Sequence, residues 1–136
     1  MILIDTSAWV EFDRATGSAI DRRLTQLIAR DSLIAVTEPV IMEVLAGART
    51  EARLADLRRL MDRFTLVPFD QASDFDAAMR VYRRCRSVGV TPRGMVDCII
   101  ISVAWRTGAS LLAHDADMDR IAAVMGVDMD QASPSR

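Results

Sequence analysis

Lysine is absent from this chain: all 17 of its basic residues are arginine. The absence excludes a P-loop nucleotide site, whose lysine sits on the phosphates, and any enzyme that works through a Schiff-base lysine. Histidine and cysteine are scarce. His114, Cys85 and Cys98 are the only ones, too few for a closed four-ligand zinc site and too widely spaced for a disulfide framework. A reducing, cytoplasmic setting follows as the expectation, with Cys98 a small core residue inside an apolar run. Long hydrophobic stretches are missing too. The first apolar run, Ile2–Ile4, has no basic segment before it, which argues against a signal peptide, and no run approaches the roughly 18 residues of a membrane span. Net positive charge is also lacking. A formal charge of −2 at pH 7 argues against gripping nucleic acid by bulk basicity, yet leaves room for an enzyme that meets phosphate through bound metal ions.

What is present is ordinary globular material, 136 residues of which 51% are apolar and 26% charged, enough for one core and too little for two. One domain over residues 1–130 is expected, with Gln131–Arg136 reading as a disordered tail. Short apolar runs at Ile2–Ile4, Leu33–Val36, Leu66–Phe69, Leu111–Ala113 and, more weakly, Val127–Met129 have the length and β-branching of buried strands. Helical patterns lie between them. Ile20, Leu24, Leu27 and Ile28 form one apolar stripe. Val40, Ile41, Val44, Leu45 and Ala48 form a second, opened by Thr37 as N-cap with Pro39 in the first turn. Leu54, Leu57, Leu60, Met61 and Phe64 give a third stripe, and Phe75, Ala78, Met79 and Tyr82 a fourth. Met95 to Trp105 is apolar almost all round, as a central helix buried on several sides would be. Strands alternating with helices predict a parallel sheet of five strands covered on both faces, a single three-layer α/β/α domain.

Fifteen of the 19 acidic residues are aspartate, and a few occupy telling positions. In such a sheet chemistry collects at the carboxyl ends of the strands. Asp5 follows the first strand directly and precedes Thr6 and Ser7; a helix N-cap is the plain alternative for it. Asp115 stands at the equivalent place after Leu111–Ala113, with Asp117 two residues on, and one of that pair is expected to cap the following helix. Asp97 falls in the first turns of the apolar helix. A helix-dipole contact accounts for a carboxylate there but not for its position among residues that should be buried, because unpaired buried charge is costly. Glu43 is the one acid inside the run from Pro39 to Ala48; a solvated helix face is its plain alternative. Crowded carboxylates raise one another's pKa, and a divalent cation removes that penalty. Oxygen-only ligands suit Mg²⁺, with Mn²⁺ as a substitute, and such a site activates water and neutralises a phosphodiester during in-line attack.

These residues resemble the PIN-domain family, in particular the VapC-type toxins of bacterial toxin–antitoxin pairs. The likeness spans about residues 1–126. The opening Met-Ile-Leu-Ile-Asp-Thr-Ser-Ala-Trp is similar to the family's strand, aspartate and small hydroxyl residues, which puts Asp5 at the first acidic position. Thr37 to Gly47 resembles the second motif, with Glu43 as its acid. Met-Val-Asp-Cys-Ile-Ile-Ile-Ser-Val-Ala looks like the third, with Asp97. His-Asp-Ala-Asp-Met resembles the fourth, with Asp115 in the cluster and Asp117 close by. Ala113 departs from the pattern where many members carry a hydroxyl, and Met118 where phenylalanine is usual. The resemblance implies a Rossmann-like, PIN-like sheet in the order 3-2-1-4-5. It also implies a Mg²⁺-dependent endoribonuclease that cuts a structured RNA (tRNA or rRNA) and inhibits translation, with Asp5 and Asp97 on the metal and Asp115 and Glu43 completing the catalytic set. Members form homodimers and are held by a cognate VapB-type antitoxin.

An acidic protein must still admit RNA. Guanidinium binds phosphate bidentately and stacks on bases, which makes Arg14, Arg49, Arg53 and Arg93 the candidate contacts; a solvated face is the favoured alternative for most arginines of the chain, and Arg93, just before Asp97, is the exception, its partner a substrate phosphate or an antitoxin acid. Thr6 joins the set of possible additional site residues. Haloacid-dehalogenase-like phosphatases and phospho-receiver domains share the first aspartate but rely on a lysine. DNA nucleases of the same acidic design are longer. The remaining alternative is a catalytically degraded PIN-like binding module, which measurable metal binding would exclude.

Overall fold

In the computed structural model, which describes residues 1–133, eleven elements alternate along the chain. In order they are β1 (Ile2–Ile4), α1 (Thr6–Asp13), α2 (Ala19–Ala29), β2 (Ile34–Val36), α3 (Glu38–Ala46), α4 (Glu51–Met61), β3 (Thr65–Leu66), α5 (Asp74–Ser87), α6 (Met95–Thr107), β4 (Ser110–Leu112) and α7 (Ala116–Met125). The strands pair in parallel, with Ile2 opposite Ile34 and Ser110, and Ala35 opposite Thr65.

The sheet has four strands in the order β3-β2-β1-β4, which corrects the expected five-stranded sheet. Val127–Met129 contributes one isolated parallel bridge, Leu111 with Met129, held by Leu111 N–H to Asp128 O at 2.9 Å and Asp130 N–H to Leu111 O at 2.7 Å. It goes no further because Asp130 is claimed by another element. Its carboxylate receives Arg23 Nε at 2.9 Å and Nη2 at 3.0 Å from α2. The chain then turns through Gln131–Ser133, where Ser133 Oγ accepts a hydrogen bond from Ala113 N–H at 3.0 Å. The expected tail thus begins in a turn, and its last three positions lie outside the described residues. β3 is shorter than expected because Pro68, one residue past Val67, has no N–H to donate to the ladder.

Right-handed crossovers put α1 to α4 on one face, as the chain steps from β1 to β2 to β3, and α5 to α7 on the other, as it crosses back to β4. The direction of winding reverses between β1 and β4, and ligands of open α/β sheets bind at the carboxyl ends of strands flanking such a reversal. The strands are buried between the layers: Leu3, Ile4, Ala35, Leu111 and Leu112 are all 0% exposed. α6 is buried along Cys98, Ile100, Ile101, Val103 and Ala104, as its all-round apolar sequence predicts, and Met118 fills the core under α7. Trp9 seals α1 against Phe12 and Phe64, with ring centroids 6.0 and 5.2 Å away. The fourth stripe is rotated from its expected position: α5 buries Ala78, Val81 and Cys85 and leaves Phe75 and Met79 exposed. Among the described residues no helix is long and apolar enough to cross a membrane.

Candidate active site at the carboxyl edge of the sheet

The local sequence builds each acidic position. β1 ends at Ile4 and the backbone N–H of Asp5 still reaches Leu112 O on β4 at 2.9 Å, so Asp5 is pinned where the two strands diverge. It is 4% exposed and caps α1: one oxygen accepts from Ser7 N–H at 3.1 Å and from Ser7 Oγ at 2.5 Å. Cap and site position are therefore one and the same residue. Asp115 does the same for α7, accepting from Asp117 N–H at 2.9 Å. Glu43 projects from the second turn of α3 and accepts the Thr6 hydroxyl at 2.7 Å. Thr37 is the N-cap of α3, but its buried hydroxyl bonds to nothing. Asp97 lies in the first turn of α6.

These acids sense one another. Asp97 is pushed up to about 6, first by burial and then by the charges of Asp5, Asp115, Glu43 and Asp117. No hydrogen bond offsets that rise. The Asp5 carboxyl is also raised, chiefly by burial, with Glu43 and Asp115 adding to it and the two Ser7 hydrogen bonds opposing it. The structure thus brings Asp5, Glu43, Asp97, Asp115 and Asp117 together at one sheet edge. Arg93 meets them there, with Nη2 at 2.5 Å from Asp115 and Nε at 3.5 Å from Asp117, while its backbone N–H points to Asp117 at 3.3 Å. The guanidinium stays mostly in solvent, its side chain 67% exposed. Arg120 holds the other Asp117 oxygen at 3.2 Å.

Among the described residues no three His, Cys, Asp or Glu side chains stand close enough to hold a metal ion as they are. The local partners explain the spread: Ser7 takes Asp5, Thr6 takes Glu43, and Arg93 takes Asp115 and Asp117. The donor chemistry nevertheless fits a hard divalent cation, because five carboxylates and a hydroxyl offer oxygen alone. Asp97, raised by burial and then by its neighbours and bonded to nothing, is the group with most to gain from one.

Sequence reasoning had passed over Ser7. Its Oγ donates to Asp5 and accepts His114 N–H at 2.9 Å, so one hydroxyl ties the first acid to the segment that carries Asp115. The Asp-Thr-Ser run was the available signal. Ser7→Ala is expected to weaken Mn²⁺ binding about tenfold, the lower end of what loss of an orienting partner costs. A Mn²⁺ titration beside the unfolding midpoint would check it; an unchanged affinity would make the hydroxyl purely structural.

Comparison with known proteins identifies the family. The PIN domain family model matches residues 2–124. Ribonuclease VapC11 of Mycobacterium tuberculosis is 43% identical over 125 residues, 91% of this chain and 93% of that protein. Ribonuclease VapC32 of the same species is 32% identical over 130 residues, 93% and 94% of the two chains. The crystal structure of VapBC2 from Rickettsia felis, bound to a DNA fragment from its promoter, superposes with a TM-score of 0.74 at 16% identity, covering 96% of this chain and 98% of that one, a likeness of fold. The chain belongs to the PIN-domain family, as one of its VapC-type toxins.

Proposed function

We propose that this protein is a Mg²⁺-dependent endoribonuclease, the toxin of a toxin–antitoxin pair, which cleaves structured RNA (tRNA or rRNA) and so inhibits translation. The observation that carries the proposal is the gathering of five mutually repelling carboxylates where β1 and β4 diverge, with Asp97 raised to about 6 and unbonded. The kinship with ribonucleases VapC11 and VapC32 supports it.

In this reading Asp5 and Asp97 hold the metal, and Glu43 and Asp115 complete the catalytic set. When bound, the cation activates water and offsets charge on the phosphodiester. The chain's own residues set the stage for that chemistry. Ser7 orients Asp5, and its hydrogen bonds oppose the rise that burial imposes on that carboxyl. Thr6 fixes the rotamer of Glu43. Asp117 anchors the backbone of Arg93 and keeps its guanidinium at the rim. From there the exposed side chain can turn outward to a substrate phosphate or to an acid of a VapB-type antitoxin. The antitoxin partnership has its analogue in the VapBC2 complex. Phe75 and Met79, four residues apart on α5 and exposed by 60% and 41%, offer an apolar face for a homodimer.

The degraded binding module has one observation in its favour, the lack of a ready-made metal cluster among the described residues. Mapping of RNA 5′ ends after induction without antitoxin separates the readings. The wild type is expected to generate discrete cut sites that vanish in Asp5→Asn, and purified wild type to bind Mn²⁺ measurably. Identical 5′-end maps for the two proteins would overturn the ribonuclease reading.

A further inference from the structure

A groove leaves the acidic centre on the side of Glu43. Its first part is a hollow of ≈ 120 Å³ between α1 and α3, walled by Trp9, Arg14, Glu43 and Gly47 among others. A second hollow of ≈ 450 Å³ continues from it, sharing Asp13, Arg14, Gly47 and Leu57 and adding Arg49 and Arg53.

Three features of the walls point to what it takes. Arg14 and Arg49 are exposed and carry no carboxylate partner among the described residues, so two guanidinium groups face outward uncommitted. The acids present are already engaged: Asp13 is paired with Arg53, and Glu43 accepts the Thr6 hydroxyl. Trp9, only 1% exposed, closes the floor of the first hollow beside Val44 and Leu57, so the wall between the arginines is apolar. The groove therefore offers phosphate ligands on its rim and apolar surface from Val44 and Leu57 between them.

We infer that this groove carries the RNA strand away from the scissile phosphate, with Arg14 and Arg49 on successive backbone phosphates and the flanking nucleotide seated over Gly47. The inference rests on the ribonuclease reading and adds to it a subsite that sets affinity and sequence preference beside the cut. A single strand fits better than a duplex, because the hollow beside Glu43 is small and the guanidinium groups are few.

Gly47 gives a clean way to block it. Its φ is −78°, open to any residue, and a Cβ there would meet its nearest atoms, Val44 O and Glu43 O, at ordinary distances of 3.5 and 3.8 Å. Gly47→Leu should fold and fill the groove. Total bacterial RNA is digested and the cuts mapped; a labelled oligonucleotide spanning the strongest wild-type cut then gives KM and kcat. Gly47→Leu is expected to raise KM at least tenfold with a smaller fall in kcat, and to leave Mn²⁺ affinity within twofold. Arg14→Gln/Arg49→Gln, which does not depend on how Gly47→Leu folds, should raise KM severalfold. It should also lower the salt slope of binding by about 1.4, two contacts on a single strand. Arg58→Gln removes one charge on the outer side of α4 and should do neither. Unchanged KM and salt slope in the groove variants would overturn the inference while the ribonuclease reading stands, and so would a loss confined to antitoxin binding, which would assign the groove to a peptide. A wild type that makes no cuts would overturn both.

Discussion

Asp97→Asn is expected to abolish RNA cleavage and, in the same protein, to raise the melting temperature measured in EDTA at pH 8. The two effects share one cause. Asp97 titrates near 6 in the folded chain, against an unfolded value near 3.8. A carboxyl whose folded pKa is raised holds its proton in the native state over that window, so stability falls as pH climbs from about 4 to about 6 and stays low above it. Some 2 pH units at 1.36 kcal/mol each would be about 3 kcal/mol; partial exposure lets water screen the charge, and about 2 kcal/mol is the figure to expect. The helix dipole favours an acid in the first turn of α6 by roughly 0.3–1 kcal/mol, too little to reverse the sign. Asparagine removes the strained charge. For a chain of this size the EDTA melting point should rise by about 6 °C at pH 8, with the gap closing near pH 4.5, where the wild-type carboxyl is protonated. Saturating Mn²⁺ should invert the order: at a hundred times its dissociation constant a ligand stabilises by about 2.7 kcal/mol, available to the wild type and largely lost to the variant. If the asparagine protein melts lower in EDTA at pH 8, Asp97 is a helix-stabilising residue and not a member of a repelling cluster.

The same residue shows what could be read from the sequence. An acid such as Asp97 inside an apolar run is conspicuous because burying a lone charge demands a reason. Asp5 and Asp115 are conspicuous because each follows a short β-branched run directly, where a parallel sheet opens to solvent. Those signals are local, and local structure kept them: both acids cap helices, at the edge where the winding reverses. What failed was set by partners far away in sequence. Val127–Met129 has strand-like residues, but its extent depends on Asp130 meeting Arg23, 107 positions earlier. The α5 stripe failed because two helical sets overlap. Phe75 and Met79 share a period with Ala78 and Tyr82, and only the packing of α6 and α7 against Val81 and Cys85 decides which set is buried. Ser7 illustrates a third case: the residue was visible, while its second bond, to His114 N–H, was not. Arg93 lay in view before Asp97, yet its hold on both Asp115 and Asp117 depends on how the loop before α6 meets the start of α7.

Arg106→Ala should unfold the protein more readily than any change at the acidic edge, without touching that edge. Asp74 opens α5 only 1% exposed, and its two oxygens receive Arg106 Nε at 3.1 Å and Nη2 at 2.9 Å from the end of α6. The same guanidinium reaches Pro68 O at 2.8 Å, and Asp70 N–H adds a bond to Asp74 at 2.7 Å. One arginine thus joins the α5–α6 hairpin to the segment leaving β3. Removing a single partner of a buried pair strands the other charge, at about 3–5 kcal/mol; the Arg106 side chain is 34% exposed, so water can reach the vacated place and about 3 kcal/mol is expected. That corresponds to a fall of roughly 10 °C in the melting point. Asp74→Asn, which can keep the Asp70 bond and strands no buried charge, should cost less than half as much, and adding it to Arg106→Ala should recover part of the loss, the non-additivity expected of residues in contact. Equal losses for the two single variants, with strict additivity, would show that the pair contributes packing alone. Nine residues of helix, about 14 Å, separate Arg106 from Asp97, so Mn²⁺ affinity of the folded Arg106→Ala protein at low temperature should match the wild type, which divides what holds this fold together from what its acidic edge is built to do.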